Sequence, residues 1–246
     1  RLDRWLKINR DGTVSVFPGK VEIGQGILTA LAQIVAEELD VNLERICLAP
    51  ANTSYSPDEG TTSGSQSITD GGSALRYASA EARFLLLQQA AQRLSVSLEQ
   101  LSVADGVITS RAGGSATYWD VVTDDLLARE ATGEIAPKPV SQHTIIGKST
   151  PRRDIPGKVA GMPSFVHDLD PPGLLHGRVA RPPSYGAKLA ALDEAAVKSF
   201  PGVVAVVRDG SFLGVIAERE EQAIRAIVRL KRDARWNESA VLPETT

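Results

Sequence analysis

Two stretches of this sequence place glycine, hydroxyl and amide side chains immediately ahead of an apolar-periodic segment. The first is Gly19-Lys20-Val21-Glu22-Ile23-Gly24-Gln25-Gly26; the second is Thr61-Thr62-Ser63-Gly64-Ser65-Gln66-Ser67-Ile68-Thr69-Asp70-Gly71-Gly72. Glycine lets backbone approach a ligand closely, and a helix N-terminus presents unpaired N–H groups with partial positive charge. Two such ends can cradle a pyrophosphate without any lysine, with the Gln25 amide and the flanking hydroxyls adding directed hydrogen bonds. The competing reading is turn and cap chemistry alone, with Thr69, Asp70 or Ser73 as the N-cap. On residue types, the pair reaches anion or dinucleotide binding and stops there.

Other chemistries fit less well. There is no GxGxxG after a strand and no GxxxxGK[ST] phosphate loop. Ser63 stands fourth, not third, in Gly60-Thr61-Thr62-Ser63-Gly64, so this is not a nucleophile elbow. His143, His167 and His176 lack HxxxH or HExxH spacing and all fall in the second part, which argues against a helical metal site and a serine triad. The single cysteine, Cys47, excludes an intramolecular disulfide and any Cys-only zinc or iron–sulfur site. In Ile46-Cys47-Leu48 it is expected to be a small buried hydrophobe. Of the adjacent carboxylates Glu37-Glu38, one is expected to face solvent; Asp58-Glu59 falls in a loop, and neither spacing implies acid–base work. Arg152-Arg153-Asp154 and the run from Arg229 to Arg235 read as solvated faces rather than anion sites.

The elements that position these loops follow from periodicity in a chain of 246 residues, 42% hydrophobic and 23% charged, with a net charge of −3. That is enough for one large domain or two small ones. No apolar run approaches the length of a membrane span, and a near-neutral chain with few aromatics argues against nucleic acid as a partner. Trp5 to Ile8 and Thr13 to Phe17 alternate as strands about Asp11-Gly12, a strong hairpin signal. Leu28, Leu31, Val35 and Leu39 predict a helix over 27–39, Arg45 to Ala49 a strand, and Leu75, Ala78, Ala82, Leu85 and Gln89 the inner face of a helix over 73–94. Hairpins are expected around Asp105-Gly106 and Asp209-Gly210-Ser211, a short helix over 118–127, a strand over 173–179 and a helix over 220–230. The boundary falls at Ala131 to Pro139, where two prolines and a glycine follow a helix end. Residues 1–140 carry a net charge of −6 and residues 141–246 one of +3, as two domains meeting at an interface would. Without a regular βαβ rhythm, the expected class is α+β in two mixed domains, 1–136 and 140–240.

Glu22-Ile23-Gly24-Gln25-Gly26-Ile27-Leu28-Thr29 resembles the [ED]-x-G-Q-G-x-x-T run of the molybdopterin-binding large subunits of the xanthine oxidase and aldehyde oxidase family. Ala36-Glu37-Glu38-Leu39 is similar to its continuation, and Thr62-Ser63-Gly64-Ser65-Gln66-Ser67 to the second cofactor loop. Arg153-Asp154-Ile155-Pro156-Gly157-Lys158-Val159-Ala160-Gly161, Phe165 to Asp168, Leu175 to Arg178 and Pro201-Gly202-Val203-Val204 resemble the family's α/β hammerhead domain. The Gly-Gln-Gly loop precedes the hammerhead-like part, the order of the permuted branch that contains isoquinoline 1-oxidoreductase and nicotinate dehydrogenase large subunits.

The resemblance implies a molybdopterin-binding-type domain over 1–136 followed by a hammerhead-like domain over 140–240. The function it implies is part of a molybdenum hydroxylase that oxidises N-heteroaromatics or aldehydes with water-derived oxygen. It assigns Gly24, Gln25 and Gly26, and Ser63, Gly64, Ser65, Gln66 and Ser67, to a molybdenum–pterin dinucleotide, with no protein metal ligand. The family's glutamate base lies in a late glycine-rich loop with no counterpart in this chain, so the catalytic residue is expected outside it. The implied partners are the remaining C-terminal half of the subunit, an iron–sulfur electron-transfer subunit and a small-molecule substrate. The isolated chain is expected to be inactive and without cofactor. The alternative is a non-catalytic binding or assembly module on the same scaffold.

Overall fold

A computed structural model describes residues 1–238; the last two positions of the expected 140–240 domain lie outside the described residues. The chain divides into two compact units, Arg1–Phe165 and one that begins at Val166.

In the first unit, β1 (Leu6–Ile8) and β2 (Val14–Val16) pair antiparallel across the Asp-Gly turn. Helix α1 (Ile27–Leu39) then carries the chain over to β3 (Ile46–Leu48), which pairs parallel with β2. This is one βαβ crossover, which the irregular alternation of elements conceals in the sequence. Helix α2 (Ser73–Leu94) packs against α1, and its buried face adds Leu86 and Ala90 to the expected stripe, while Gln89 is only half-buried. Strands β4 (Leu101–Ala104), β5 (Val107–Ser110) and β6 (Ser115–Thr117) form an antiparallel meander. Only Tyr118–Val121 of the expected 118–127 helix forms, as α3. One core joins both helices to the first sheet and the meander, from Leu2 and Leu6 through Leu31, Val35 and Leu86 to Ile108 and Tyr118.

The Tyr118 hydroxyl is buried near Arg83 but makes no hydrogen bond of regular geometry among the described residues, and burial pushes its pKa up. Tyr118→Phe is therefore expected to leave stability unchanged or raise it by up to about 1 kcal/mol in urea unfolding. A loss larger than that would show that the hydroxyl is satisfied.

The expected boundary near 136–140 falls inside this first unit, because buried carboxylates hold the proline-rich segment down. Glu37 and Glu38 are 1% and 0% exposed, so neither faces solvent as their adjacency on a helix suggested. Glu37 accepts from the backbone N–H groups of Thr144, Ile145 and Ile146 at 2.9, 2.6 and 2.9 Å. Glu38 accepts from Lys138 N at 2.9 Å and Arg76 Nε at 2.8 Å, and on α2 Glu81 accepts from Thr132 N at 2.9 Å. A stretch that lacks a regular ladder thus finds its partners in side chains of the two helices. Helix α4 (Ile155–Val159) closes the unit.

Cys47 is exposed, contrary to expectation, because successive residues of a strand face opposite ways and β3 turns Ile46 inward.

The second unit contains the antiparallel sheet β7–β10–β9, with β7 at His176–Ala180, β9 at Val203–Asp209 and β10 at Phe212–Ala217. It also has a two-stranded pair of β8 (Lys188–Ala191) and β11 (Arg235–Asn237), and helices α5 (Glu194–Lys198) and α6 (Glu220–Asp233). Ala226, Ile227 and Leu230 of α6 pack with Leu213 and Val215 of β10 in a core of their own. Both units mix helix with mainly antiparallel sheet, which is the α+β class.

Candidate cofactor-binding site

The two glycine-containing loops meet at their bases. Gly19 N donates to Glu59 Oε2 at 2.5 Å, and Val21 N donates to the Thr62 hydroxyl at 2.9 Å. Between them Lys20, 2% exposed, threads beneath the second loop. Its Nζ donates to the carbonyls of Glu59 and Thr61 at 2.5 and 3.3 Å. Gly19 permits this approach: a Cβ there would fall inside the contact radius of the Pro57 carbonyl oxygen. Beside this junction lies a cavity of about 410 Å³ lined in part by Val21, Asn52, Thr53 and Glu59.

Beyond its base, the first loop folds on itself. Gln25 Nε2 donates to Val21 O at 2.9 Å, and Gln25 Oε1 accepts from Ile23 N at 2.7 Å. The Glu22 carboxylate accepts from Gly24 N and Gly26 N at 2.8 and 2.9 Å, and from Leu28 N at 3.4 Å. The N-terminus of α1 is therefore filled by the chain's own carboxylate and is not an open anion site, which corrects the picture of two free helix ends. Gly24 and Gly26 adopt φ of +108° and +82°, the left-handed backbone this tight turn needs. Gln25 remains exposed at its tip.

The second loop differs. Its helix begins not at Ser73 but as a π-helical turn over Ser67–Gly72 that runs directly into α2. None of Thr69, Asp70 or Ser73 serves as N-cap, since the helix is already under way at those positions. The open end moves up to Ser67 and its neighbours, where first-turn N–H groups have no intrahelical partner. Gly64 and Ser65 both sit in the left-handed region, with φ of +63° and +60°. For Ser65 this carries a cost of roughly 1–3 kcal/mol, a strain of the kind retained where a loop shapes a site. Ser63, Gly64, Ser65 and Gln66 are exposed and Ser67 is half-buried.

The structure thus joins the two loops at Val21 and Thr62, leaving Gln25 on one side and Ser63–Ser67 on the other. Among the described residues, no group of three or more histidine, cysteine, aspartate or glutamate side chains is placed to hold a metal ion. What the loops offer is backbone N–H groups, hydroxyls and amides. This donor set fits a polar, anionic organic group, and does not fit a bare cation.

Residue reasoning overlooked Lys20, Glu22 and Glu59, which build the site without touching its open face. Glu22 carried a local signal, an acidic residue five positions before the start of α1. Lys20 and Glu59 carried none, because their pairing spans 39 residues.

Residues 3–149 match the family described as molybdopterin cofactor-binding domain. A nicotinate dehydrogenase chain of Pseudomonas putida is 40% identical over 238 residues, covering 94% of this chain and 20% of that protein. The beta chain of isoquinoline 1-oxidoreductase of Brevundimonas diminuta is 33% identical over 262 residues, covering 90% of this chain and 33% of that protein. Among solved structures, CO dehydrogenase from Oligotropha carboxidovorans aligns with 47% of this chain and 15% of its own, at 26% identity and a TM-score of 0.43. The chain spans about a fifth and a third of the length of the two curated relatives. With more than half of its residues matched and both glycine-containing loops inside the match, this chain belongs to the molybdopterin cofactor-binding domain family, within the xanthine oxidase and aldehyde oxidase group.

Proposed function

We propose that the chain forms one wall of a molybdopterin site within a larger molybdenum hydroxylase subunit. The observation that carries this is the joining of the Gly-Gln-Gly turn to the Ser63–Ser67 loop, through Lys20 and the Val21–Thr62 hydrogen bond. Gly24, Gln25 and Gly26 would hold the pterin dinucleotide on one side, and Ser63, Gly64, Ser65, Gln66 and Ser67 would hold it on the other. The bound group supplies the redox chemistry. This chain's residues orient it: the second loop through backbone N–H groups and hydroxyls, the first through the Gln25 amide and backbone. Gly64, without a side chain, leaves room for a substrate. The unit that begins at Val166 contributes the hammerhead-like domain that was expected over 140–240.

The reaction class that goes with this reading is oxidation of an N-heteroaromatic or an aldehyde with water-derived oxygen. The names of the relatives, which point to nicotinate and isoquinoline, favour the heteroaromatic. A glutamate base and further cofactor contacts come from a C-terminal half of the subunit, and electrons leave to iron–sulfur centres on a partner subunit.

Gln25→Ala in the full-length gene product is expected to lower molybdenum content roughly ten-fold, the size of effect seen when a supporting contact of a metal site is lost. Metal analysis with turnover is the test. Normal metal and normal turnover in the variant would count against the assignment. A wild-type full-length product without molybdenum would instead favour the non-catalytic module on the same scaffold.

A further inference from the structure

Arg152 lies 128 residues beyond Gly24, yet it grips the Gly-Gln-Gly turn directly. Its Nη1 donates to Gly24 O at 3.0 Å, and its Nη2 lies 3.9 Å from Glu22 Oε1. The guanidinium also packs on Gly26, where a Cβ would stand 3.1 Å from Arg152 Nε. Its other edge is taken by Asp154, which accepts from Nε and Nη2 at 3.0 and 2.5 Å. Lys158 Nζ donates to the same carboxylate at 2.6 Å. These two cations, Arg152 foremost, hold the Asp154 carboxyl well below the usual carboxylate range. The backbone on either side of Arg152 is anchored to the same region: Thr150 Oγ1 accepts from Gln33 Nε2 at 3.0 Å, and Arg153 N donates to Thr29 Oγ1 at 3.1 Å.

The guanidinium charge is already balanced by Asp154 and Glu22, so its contribution to the turn is geometric rather than attraction of an anion. A trans peptide directs its C=O and N–H to opposite sides. Pinning Gly24 O on Arg152 therefore turns the Gln25 N–H away from Arg152, and that N–H has no partner among the described residues. We propose that Arg152 is a positioning residue for the Gly24–Gln25 peptide, holding the Gln25 N–H ready for the polar part of the pterin group; this rests on the cofactor reading above. A planar fork places donors on two edges, meeting Gly24 O with one and Asp154 with the other, a geometry that the compact ammonium of lysine does not reproduce. The segment read from sequence as a solvated basic face is thus the outer clamp of the first loop.

Hydrogen exchange of the Gly24 and Gly26 amides, both bonded to Glu22, tests this in the full-length gene product. Arg152→Ala is expected to speed their exchange roughly ten-fold, with Arg152→Lys close behind and Asp154→Asn intermediate. Molybdenum content should fall in the same order, and the electron paramagnetic resonance of the fraction that stays loaded should shift. Unchanged exchange in Arg152→Ala overturns the clamp whether or not cofactor binds. Faster exchange with wild-type metal content and an unshifted resonance overturns the positioning role, reducing Arg152 to a structural contact. A wild-type product free of molybdenum overturns the cofactor reading and with it the positioning role. That failure is distinguishable, because the exchange result is read independently of the metal.

Discussion

Glu37→Ala is expected to destabilise the first unit by about 3 kcal/mol, since it removes a buried carboxylate on which several backbone N–H donors converge. The carboxylate is 1% exposed and gathers the backbone N–H groups of Thr144, Ile145 and Ile146, with Lys138 Nζ 4.0 Å away. Burial pushes the Glu37 pKa up, but the three N–H donors and Lys138 more than offset this and leave it below the ordinary value of 4.5. The folded state therefore binds fewer protons than the unfolded chain between those two values. The stabilisation is complete above 4.5 and is lost as pH falls through the lower, folded value. Urea unfolding at a series of acidic pH values checks both points. Glu37→Gln keeps the shape, presents an NH2 where only acceptors belong, and should flatten the acid limb of the profile. A loss under 1 kcal/mol in Glu37→Ala would mean that the 137–146 segment does not depend on this anchor.

Gly19→Ala is the change expected to do most damage to the site itself. Its Cβ would overlap the Pro57 carbonyl, a backbone atom that cannot rotate away, so the 57–59 segment must shift outward. That shift breaks the Gly19–Glu59 hydrogen bond and draws the Glu59 carbonyl from Lys20, loosening both loops at their common base. The cost is about 2–3 kcal/mol, in the range of forced overpacking. Molybdenum content of the full-length product should fall below roughly a tenth of wild type, as expected when the residues that support a metal site are displaced. Gly71→Ala provides the contrast. Its Cβ meets chiefly the Glu59 carboxylate, a side-chain end that can shift at the cost of its bond from Gly19 N, so the expected cost is about 1 kcal/mol and the loops stay joined through Lys20 and the Val21–Thr62 bond. Hydrogen exchange across residues 57–62 separates the two variants without reference to cofactor. Equal exchange in both would show that the close approach at Gly19 is not what holds the loops.

The helices were the most legible part of the fold. Leu28, Leu31, Val35 and Leu39 marked α1 to its observed bounds, and the alanine-rich stripe did the same for α2. Both are long enough for a 3.6-residue period to declare itself. The hairpins at Asp105-Gly106 and Asp209-Gly210-Ser211 were legible through turn chemistry. By contrast, β8 and β11 are short strands whose pairing is decided by partners about 45 residues away, and nothing in a three- or four-residue window specifies that. The π turn at Ser67–Gly72 was hidden for a different reason. Glycine and serine favour loop conformations in isolation, and it takes packing of Ile34 against Gly72 and of Glu59 against Gly71 to wind them into helix.

Residue types and order by themselves determined that this chain carries two polar glycine-containing turns ahead of helices, the α+β class and the family to which both turns belong. These are local properties: a period, a turn dipeptide, a short motif, each readable within a few residues. Tertiary structure alone decided that the second helix begins early in a π turn, that Lys20 lies buried between the loops, and that Arg152 reaches back to the first. It also decided that Glu37 and Glu38 face inward. The reason is physical: the environment of a charge depends on which backbone N–H and C=O groups surround it. Those groups come from chain segments 39 to 128 residues away, whose approach is set by packing of the core.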